Sequence, residues 1–273
     1  LEYKQKVICI DNLFTGNLKN IKPYLKNKNF VFIKKNIIQK NIIKKKINAD
    51  FFIHLAALGS VPRSIKDPYE TNDVNLNGSM NMFKLASYLN CKRFIFASSS
   101  SVYGDAQSIT KKESDTLRPI SPYGLSKLFF EKYIENISTN IKLKSVGLRF
   151  FNVFGPRQSM NGPYAAVIPQ WINSGFRKKK LILYGDGSTT RDFTHVLNVV
   201  DGILLCCSIK IKKNFEAVNL ACGKEISLLE LIKILKSLFK QKKIQIKIKK
   251  KQFIKGDIRN SKANINLAKK LLS

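Results

Sequence analysis

Only two histidines, His54 and His195, occur among the 273 residues, so no multi-histidine metal site can be assembled and a metal mechanism is not expected. The five cysteines (Cys9, Cys91, Cys206, Cys207, Cys222) are odd in number, follow no metal-ligand spacing and mostly sit in apolar surroundings. They read as buried thiols in a reducing cytosol rather than a disulfide framework. Long apolar runs are also missing. The longest, Val196 to Ile209, is broken by Asn198, Asp201 and Gly202, short of the ~18 apolar residues that a bilayer span needs. The chain opens Leu1-Glu2-Tyr3-Lys4-Gln5-Lys6, with neither an initiator Met nor the charged start and apolar core of a signal peptide. This opening reads as a cut within a longer sequence, and a cytoplasmic location is expected. Acidic residues are scarce: 18 stand against 49 basic ones, for a net charge of +31. Only eight of the 49 are Arg, and the Lys bursts (Lys44-Lys45-Lys46, Lys178-Lys179-Lys180, Lys249-Lys250-Lys251) are spread along the chain without interleaved aromatics. A nucleic-acid surface concentrates its charge on one face and favours Arg for base edges, so a solvated surface is the better reading. A nucleic-acid binder stays open as an alternative resting on charge alone.

What is present is a globular composition, 44% hydrophobic and 25% charged. Short apolar runs at Val7 to Ile10, Phe30 to Ile33, Phe51 to Leu55, Arg93 to Ala97 and Ser145 to Leu148 read as buried strands. Between them lie helical patterns, clearest at Pro68 to Asn90 and Pro122 to Ser138, the second with Ser121 as N-cap and Pro122 at the first helical position. The alternation predicts an α/β fold with a doubly wound parallel sheet. After about Phe151 the turns Gly155-Pro156, Gly162-Pro163 and Gly185-Asp186-Gly187 loosen the pattern, which suits a second, smaller lobe. The stretch Lys240 to Lys251 alternates Ile with Lys or Gln and reads as a half-exposed strand.

Tyr123 and Lys127, four residues apart on a predicted helix, emerge on one face, where an ammonium can stabilise a phenolate and make Tyr123 a base near neutral pH. Alone, this spacing is a common solvated pair. Its weight comes from Ser98-Ser99-Ser100-Ser101-Val102-Tyr103-Gly104, which follows the strand Arg93 to Ala97 at the carboxyl edge of the sheet, where ligands bind in such folds. Asp11-Asn12 directly follows another strand, where a carboxylate can hold the ribose hydroxyls of an adenosine, though a lone Asp there is as readily a turn residue. No Gly-rich turn precedes it, and Gly185-Asp186-Gly187 opens no helix.

In order along essentially the whole chain, these residues resemble the NAD-dependent nucleotide-sugar epimerases of the extended short-chain dehydrogenase/reductase family. The likeness is carried by Asp11-Asn12-Leu13 with Thr15-Gly16, His54 to Ser64, Asn75-Leu76-Asn77-Gly78, the serine run through Asp105, and Ser121 to Lys127. It continues through Leu148 to Gly155, Tyr164 to Pro169, Arg191-Asp192-Phe193 and Gly256-Asp257-Ile258-Arg259. The resemblance implies a Rossmann-type sheet lacking its N-terminal βα unit. Residues 1–155 with 194–220 would form the NAD-binding domain, and 156–193 with 221–273 the nucleotide-sugar lobe. It further implies Ser99 as the substrate-orienting hydroxyl, Tyr123 as base and acid, and Lys127 as the residue that binds the nicotinamide ribose and lowers the Tyr123 pKa. For the cofactor it implies Asp11, Asn12, Ala56, Asn75 and Phe151. For the sugar nucleotide it implies Gly59, Ser60, Asn152, Ala166, Val167, Tyr184, Arg191, Asp257 and Ser261. A homodimer built on the apolar faces of the two long helices is part of the same expectation.

The implied reaction is oxidation of the sugar at C4 and re-reduction on the other face, with no net redox change. Related dehydratases and decarboxylases carry an acidic residue where this chain has Ser100 and Ser101, which favours simple epimerisation. Ser261, where glucose-only relatives place a bulky aromatic, leaves room for an N-acetyl group, so UDP-GlcNAc/UDP-GalNAc is the expected pair and UDP-glucose the runner-up. The chain departs from the pattern in lacking the Gly-rich loop, in Asn36-Ile37 near the adenine position, and in Ile254, where the family has an Arg. A truncated, non-catalytic relative that binds nucleotide sugars is therefore a further alternative.

Overall fold

The computed structural model describes residues 5–40, 42–43, 47–106, 108–160, 166–253 and 258–272. The chain runs through β1 (Val7–Asp11), β2 (Phe30–Lys34), β3 (Phe51–His54), α1 (Val61–Lys66), α2 (Pro68–Asn72), α3 (Ser79–Tyr88) and β4 (Arg93–Ser99). A short β5 (Thr110–Lys111) precedes α4 (Pro122–Ile137), β6 (Lys144–Phe150), β7 (Val153–Phe154), α5 (Val167–Phe176) and β8 (Leu181–Tyr184). There follow β9 (Thr190–Arg191), β10 (Thr194–His195), α6 (Val196–Ser208), β11 (Phe215–Leu220), β12 (Ile226–Ser227), α7 (Leu228–Gln241), β13 (Ile248–Lys251), β14 (Lys262–Ala263) and α8 (Asn266–Leu272).

The strands β11, β6, β4 and β3 form a parallel sheet in that order, while β1 and β2 pair in parallel with each other. Alternation along β4 explains why this run is apolar throughout. Phe94 and Phe96 face one side, into a cluster with Phe83 of α3 and Phe130 and Ile134 of α4. Ile95 faces the other, into a cluster with Val199, Ile203 and Cys206 of α6 and Ala268 and Leu272 of α8. Helices thus cover both faces of the sheet, the doubly wound arrangement that the sequence alternation predicts. Gly147 on β6 makes room for this packing, since a Cβ there would lie 2.8 Å from the Phe96 ring.

Both predicted long helices are present. Ser121 caps α4 by accepting from the Gly124 N–H at 3.1 Å, with Pro122 in the first turn. The helix expected over Pro68 to Asn90 is continuous, but its middle, Asp73–Gly78, is wound as a π-helix. The strand expected over Lys240 to Lys251 is shorter than its Ile/Lys alternation suggested. Helix α7 extends through Gln241, because Leu231, Ile232, Leu235 and Phe239 recur at helical spacing and bury against Trp171, Leu181 and Leu183. Only Ile248–Lys251 remains as β13, parallel to β8. This third cluster has its own capping box, Ser227 with Glu230, at the start of α7. Among the described residues no helix is long and apolar enough to cross a membrane.

The sole tryptophan, Trp171, is 1% exposed and donates from Nε1 to the Ile182 carbonyl at 2.9 Å. Trp171→Ala should cost ~3–5 kcal/mol through the cavity and the orphaned carbonyl, read from urea unfolding followed by circular dichroism. A loss below about 1 kcal/mol would mean that the cluster collapses around the missing ring.

Candidate active site

Three successive residues at the carboxyl end of β4 each meet α4. The Ala97 carbonyl accepts from Lys127 Nζ at 2.8 Å. Ser98 Oγ donates to Glu131 Oε1 at 2.5 Å. Ser99 shares a hydrogen bond with the Tyr123 phenol and accepts from the Ser101 N–H at 3.1 Å. Since Tyr123, Lys127 and Glu131 are spaced by four, they lie along one face of α4. The helix approaches this closely because its first turn carries Gly124, where a Cβ would lie 2.6 Å from the Ser101 carbonyl oxygen. Ser99, Tyr123 and Lys127, predicted as a group, are therefore brought together.

Their electrostatics differ from expectation in one respect. Burial pushes the Tyr123 phenol upward, opposed by its bond to Ser99. The Lys127 ammonium is committed to the Ala97 carbonyl and lies 5.9 Å from the Tyr123 ring centroid. Burial also lowers Lys127 itself to about 8, countered by the nearby Glu131 carboxylate. The geometry holds the phenol and the ammonium near each other but leaves the phenol protonated at neutral pH.

On the side expected to meet a dinucleotide, the π-turn places Asn75 fully inside. Its Oδ1 accepts from the Leu58 N–H at 2.8 Å and its Nδ2 donates to Ser126 Oγ at 3.1 Å, tying the loop after β3 to α4. Ala56 lies half-buried in that loop. Asp11 ends β1 and accepts from the Leu13 N–H at 2.6 Å, while Asn12 accepts from the Phe14 N–H at 3.0 Å. A Cβ on Gly16 would come within 3.2 Å of the Asp11 carboxylate, so the turn folds closely around that group. Phe151 is 0% exposed, packed with Val102, Tyr103 and Ala263, so only its backbone is available to a cleft. The Asp11 carboxylate at the end of β1 is chemically suited to ribose hydroxyls, and the Ser99–Tyr123–Lys127 group to proton exchange with a bound hydroxyl. No Gly-rich turn to cradle the pyrophosphate occurs among the described residues.

On the expected substrate side, Gly59 is exposed and Ser60 caps α1 by accepting from the Arg63 N–H at 3.2 Å. A Cβ on Gly59 would sit 4.0 Å from the Tyr123 hydroxyl, which places this loop over the phenol. Asn152, at φ +32, donates to the Asp192 carbonyl at 3.4 Å and to Ser261 Oγ at 3.5 Å. Ser261 therefore lies beside Asn152. Arg191 Nη1 donates to the carbonyls of Thr190 at 2.8 Å and Arg259 at 3.3 Å. Ala166 is the exposed N-cap of α5, Val167 starts that helix, and Tyr184 ends β8 with Lys251 Nζ 5.9 Å from its ring centroid. Asp257 and Ile254, with Tyr164 and Ala165 of the quoted motif, lie outside the described residues.

Sequence reasoning assigned no role to Asp192, although it lies in the quoted Arg191-Asp192-Phe193 segment. It is 0% exposed and accepts backbone N–H bonds from Cys222 at 3.1 Å, Gly223 at 3.0 Å and Ala263 at 3.2 Å, holding together segments that surround Asn152 and Ser261. Among the described residues, no group of His, Cys, Asp or Glu has the arrangement of a metal site, and the five cysteines are free.

His54, at the end of β3, is 6% exposed, is held by Ser79 Oγ at 2.8 Å and stacks on Phe94. Burial, aided by the Lys127 charge, lowers it to about 3. Because the folded value lies below the ordinary one near 6.5, His54 contributes stability that is complete above pH 6.5 and is lost as pH falls toward 3. The unfolding free energy of the parent should fall toward that of His54→Gln by at most ~1.4 kcal/mol per pH unit between pH 6 and 4. Parallel pH dependences of the two in urea titrations would contradict this.

Over residues 1–221 the sequence matches the NAD dependent epimerase/dehydratase family. It is 35% identical over 240 residues to a putative UDP-glucose 4-epimerase of Methanocaldococcus jannaschii, covering 86% of this chain and 75% of that protein. The fold superimposes on UDP-N-acetylglucosamine 4-epimerase from Methanobrevibacter ruminantium, in complex with UDP-N-acetylmuramic acid, with a TM-score of 0.90, 35% identity and coverage of 97% and 83% of the two chains. It also superimposes on UDP-glucuronic acid 4-epimerase from Bacillus cereus, in complex with UDP-glucuronic acid and NAD, with a TM-score of 0.87, 28% identity and coverage of 97% and 84%. A parallel sheet with Ser99 at its carboxyl edge, and Tyr123 and Lys127 on the helix that crosses it, accompanies a match over most of the chain in sequence and in fold: the chain belongs to the NAD-dependent epimerase/dehydratase family.

Proposed function

We propose that the protein is a nucleotide-sugar 4-epimerase that interconverts UDP-GlcNAc and UDP-GalNAc. The observation that carries the chemistry is the convergence of Ser99, Tyr123 and Lys127 where α4 crosses the end of β4. NAD, when bound, supplies the hydride acceptor at C4 and returns the hydride to the opposite face of the sugar. Asp11 and Asn12 hold its adenosine ribose, Ala56 and Asn75 line its cleft, and the backbone at Phe151 borders the nicotinamide. Ser99 orients the sugar 4-hydroxyl through the hydrogen bond that it also offers to Tyr123. Tyr123, in its ionised form, takes that hydroxyl proton and later gives it back, so the residue ends each turnover as the phenolate it began as. Burial raises the phenol and lowers Lys127 to about 8, so turnover depends on two opposed titrations, loss of the Tyr123 proton and retention of the Lys127 charge.

Residues 156–193 with 221–273 form the sugar-nucleotide lobe in this reading. Arg191 and Asn152 meet the diphosphate, where a guanidinium is the preferred partner. Ala166, Val167 and Tyr184 meet the uridine, Asp257 its ribose, and Gly59 and Ser60 the sugar. Support for the N-acetyl sugar comes from Ser261, a small side chain 3.5 Å from Asn152. The exposed apolar side chains Leu125 and Phe129 on α4 and Tyr69 on α2 form a face suited to a second copy of the chain.

Purified protein, denatured and assayed for released NAD, should yield close to one equivalent, and UDP-GlcNAc should be converted to UDP-GalNAc. Ser99→Ala and Tyr123→Phe should each lower kcat by roughly 10²–10⁴-fold. Ser261→Tyr should abolish turnover of UDP-GlcNAc while sparing UDP-glucose. Conversion of UDP-glucose alone by the parent would overturn the assignment of the sugar. In sedimentation velocity, Leu125→Glu combined with Phe129→Glu should convert a dimer to a monomer, and an unchanged dimer would place the interface elsewhere.

A further inference from the structure

Below the proposed reacting groups, a buried ion pair links the sheet to α4. Glu131 is 2% exposed and Arg149, on β6, is 3% exposed. Their contact is bidentate, with Arg149 Nε to Glu131 Oε1 at 3.0 Å and Arg149 Nη2 to Oε2 at 2.7 Å. Arg149 stands directly opposite Ser98 in the β4–β6 register, and Ser98 Oγ donates to the same Glu131 oxygen. Arg149 Nη1 also donates to the Tyr103 hydroxyl at 2.9 Å, and Tyr103 donates to Asn219 Oδ1 of β11 at 2.6 Å. The carboxylate thus accepts from two adjacent strands at once, from Ser98 of β4 and from Arg149 of β6.

We propose that Glu131 is a positioning residue: anchored by Arg149 and Ser98, it locks the end of β4 against α4 and is the anion that balances the buried ammonium of Lys127. Glu131 lies one turn beyond Lys127 on α4, and the two interact. Glu113 also faces this cluster from the Tyr103 side, its carboxylate accepting from the Asn219 N–H at 2.9 Å, and three further titratable groups there are neutral at physiological pH. His54 of β3 is held uncharged, Tyr103 is pushed up to about 12 by burial, and Tyr123 is protonated. For Lys127 it is Glu131, one turn away on the same helix, that opposes the effect of burial, and Glu131 is itself held by Arg149 in the bidentate contact. A buried pair of this kind is weak as a source of stability, since its desolvation offsets the attraction. A directional role explains its placement better, because one carboxylate meets Ser98 of β4 and Arg149 of β6 at once, between the residues that make the Ala97 and Ser99 links. The inference rests on the reading of Ser99, Tyr123 and Lys127 as the reacting groups, but its test does not depend on turnover.

The test follows the titration of Lys127 by NMR of ¹⁵Nζ-lysine-labelled protein, its signal identified as the one lost in Lys127→Met. In the parent the midpoint is expected near 8. In Glu131→Gln, which keeps the size but not the charge, the midpoint should fall by about one pH unit or more, roughly a tenfold loss of cation at a given pH. Glu131→Asp should restore part of it. Because Glu131→Gln strands the Arg149 charge, Glu131→Gln with Arg149→Met is measured alongside, since neutral replacement of a buried pair preserves folding in other proteins. The double variant should show the same fall. An unchanged Lys127 midpoint in whichever variant folds overturns the proposal, as does failure of both to fold, which would make the pair a structural keystone only. If turnover is measured in parallel, the high-pH limb of kcat should shift downward with KM little changed. A normal Lys127 response with turnover insensitive to Tyr123→Phe would refute the proposed function and leave the positioning role intact.

Discussion

The docking of α4 across the end of β4 is the contact on which the site depends. Apolar packing brings the two together, through Phe94 and Phe96 against Phe130 and Ile134. That packing alone would tolerate sliding, because hydrophobic contact has no direction. The polar links at Ala97, Ser98 and Ser99 remove that freedom and set which turn of the helix faces which strand residue. Gly124 permits the approach and Ser121 begins the helix at the required point. A buried phenol and a buried ammonium are costly to place, and they occur here only because each finds a hydrogen-bond partner on the strand end.

A second hub works in the same way at the opposite side of the cleft. Asp192 gathers β14 and the turn that follows β11 through backbone N–H bonds. Burial raises its pKa while those bonds oppose the rise, so the carboxylate is held by donors rather than by a cation. The result is a fixed frame around Asn152 and Ser261. The Trp171 and Phe239 cluster lies apart from both sheet cores and supports β8 and β13, so Tyr184 rests on a separate apolar foundation.

The large positive charge bears on none of this architecture. The lysines at 178–180 and 249–250 are exposed, whereas the buried cations Lys127, Lys111 and Arg149 each have oxygen partners. Composition therefore described the surface, and the site draws on a few charged residues that composition could not single out.

Much of the fold was legible because it follows from local rules. Strand runs, the two long helices, the Ser121 cap and the alternation that makes a parallel sheet all depend on neighbouring residues, and the motifs carrying the family likeness are contiguous segments. The tail of α7 was misread because Ile and Lys alternate there after the helix has ended, and the length of a helix is settled by what its apolar face meets. The sequence by itself determined the fold class, the family and the candidates Ser99, Tyr123 and Lys127. Only the tertiary structure decided that Lys127 spends its ammonium on Ala97, that Phe151 is turned inward, that Asp192 is a hub and that Arg149 meets Glu131. Those outcomes depend on register and burial across segments far apart in the chain, and the free energy of a charge is set by the surroundings that folding brings to it.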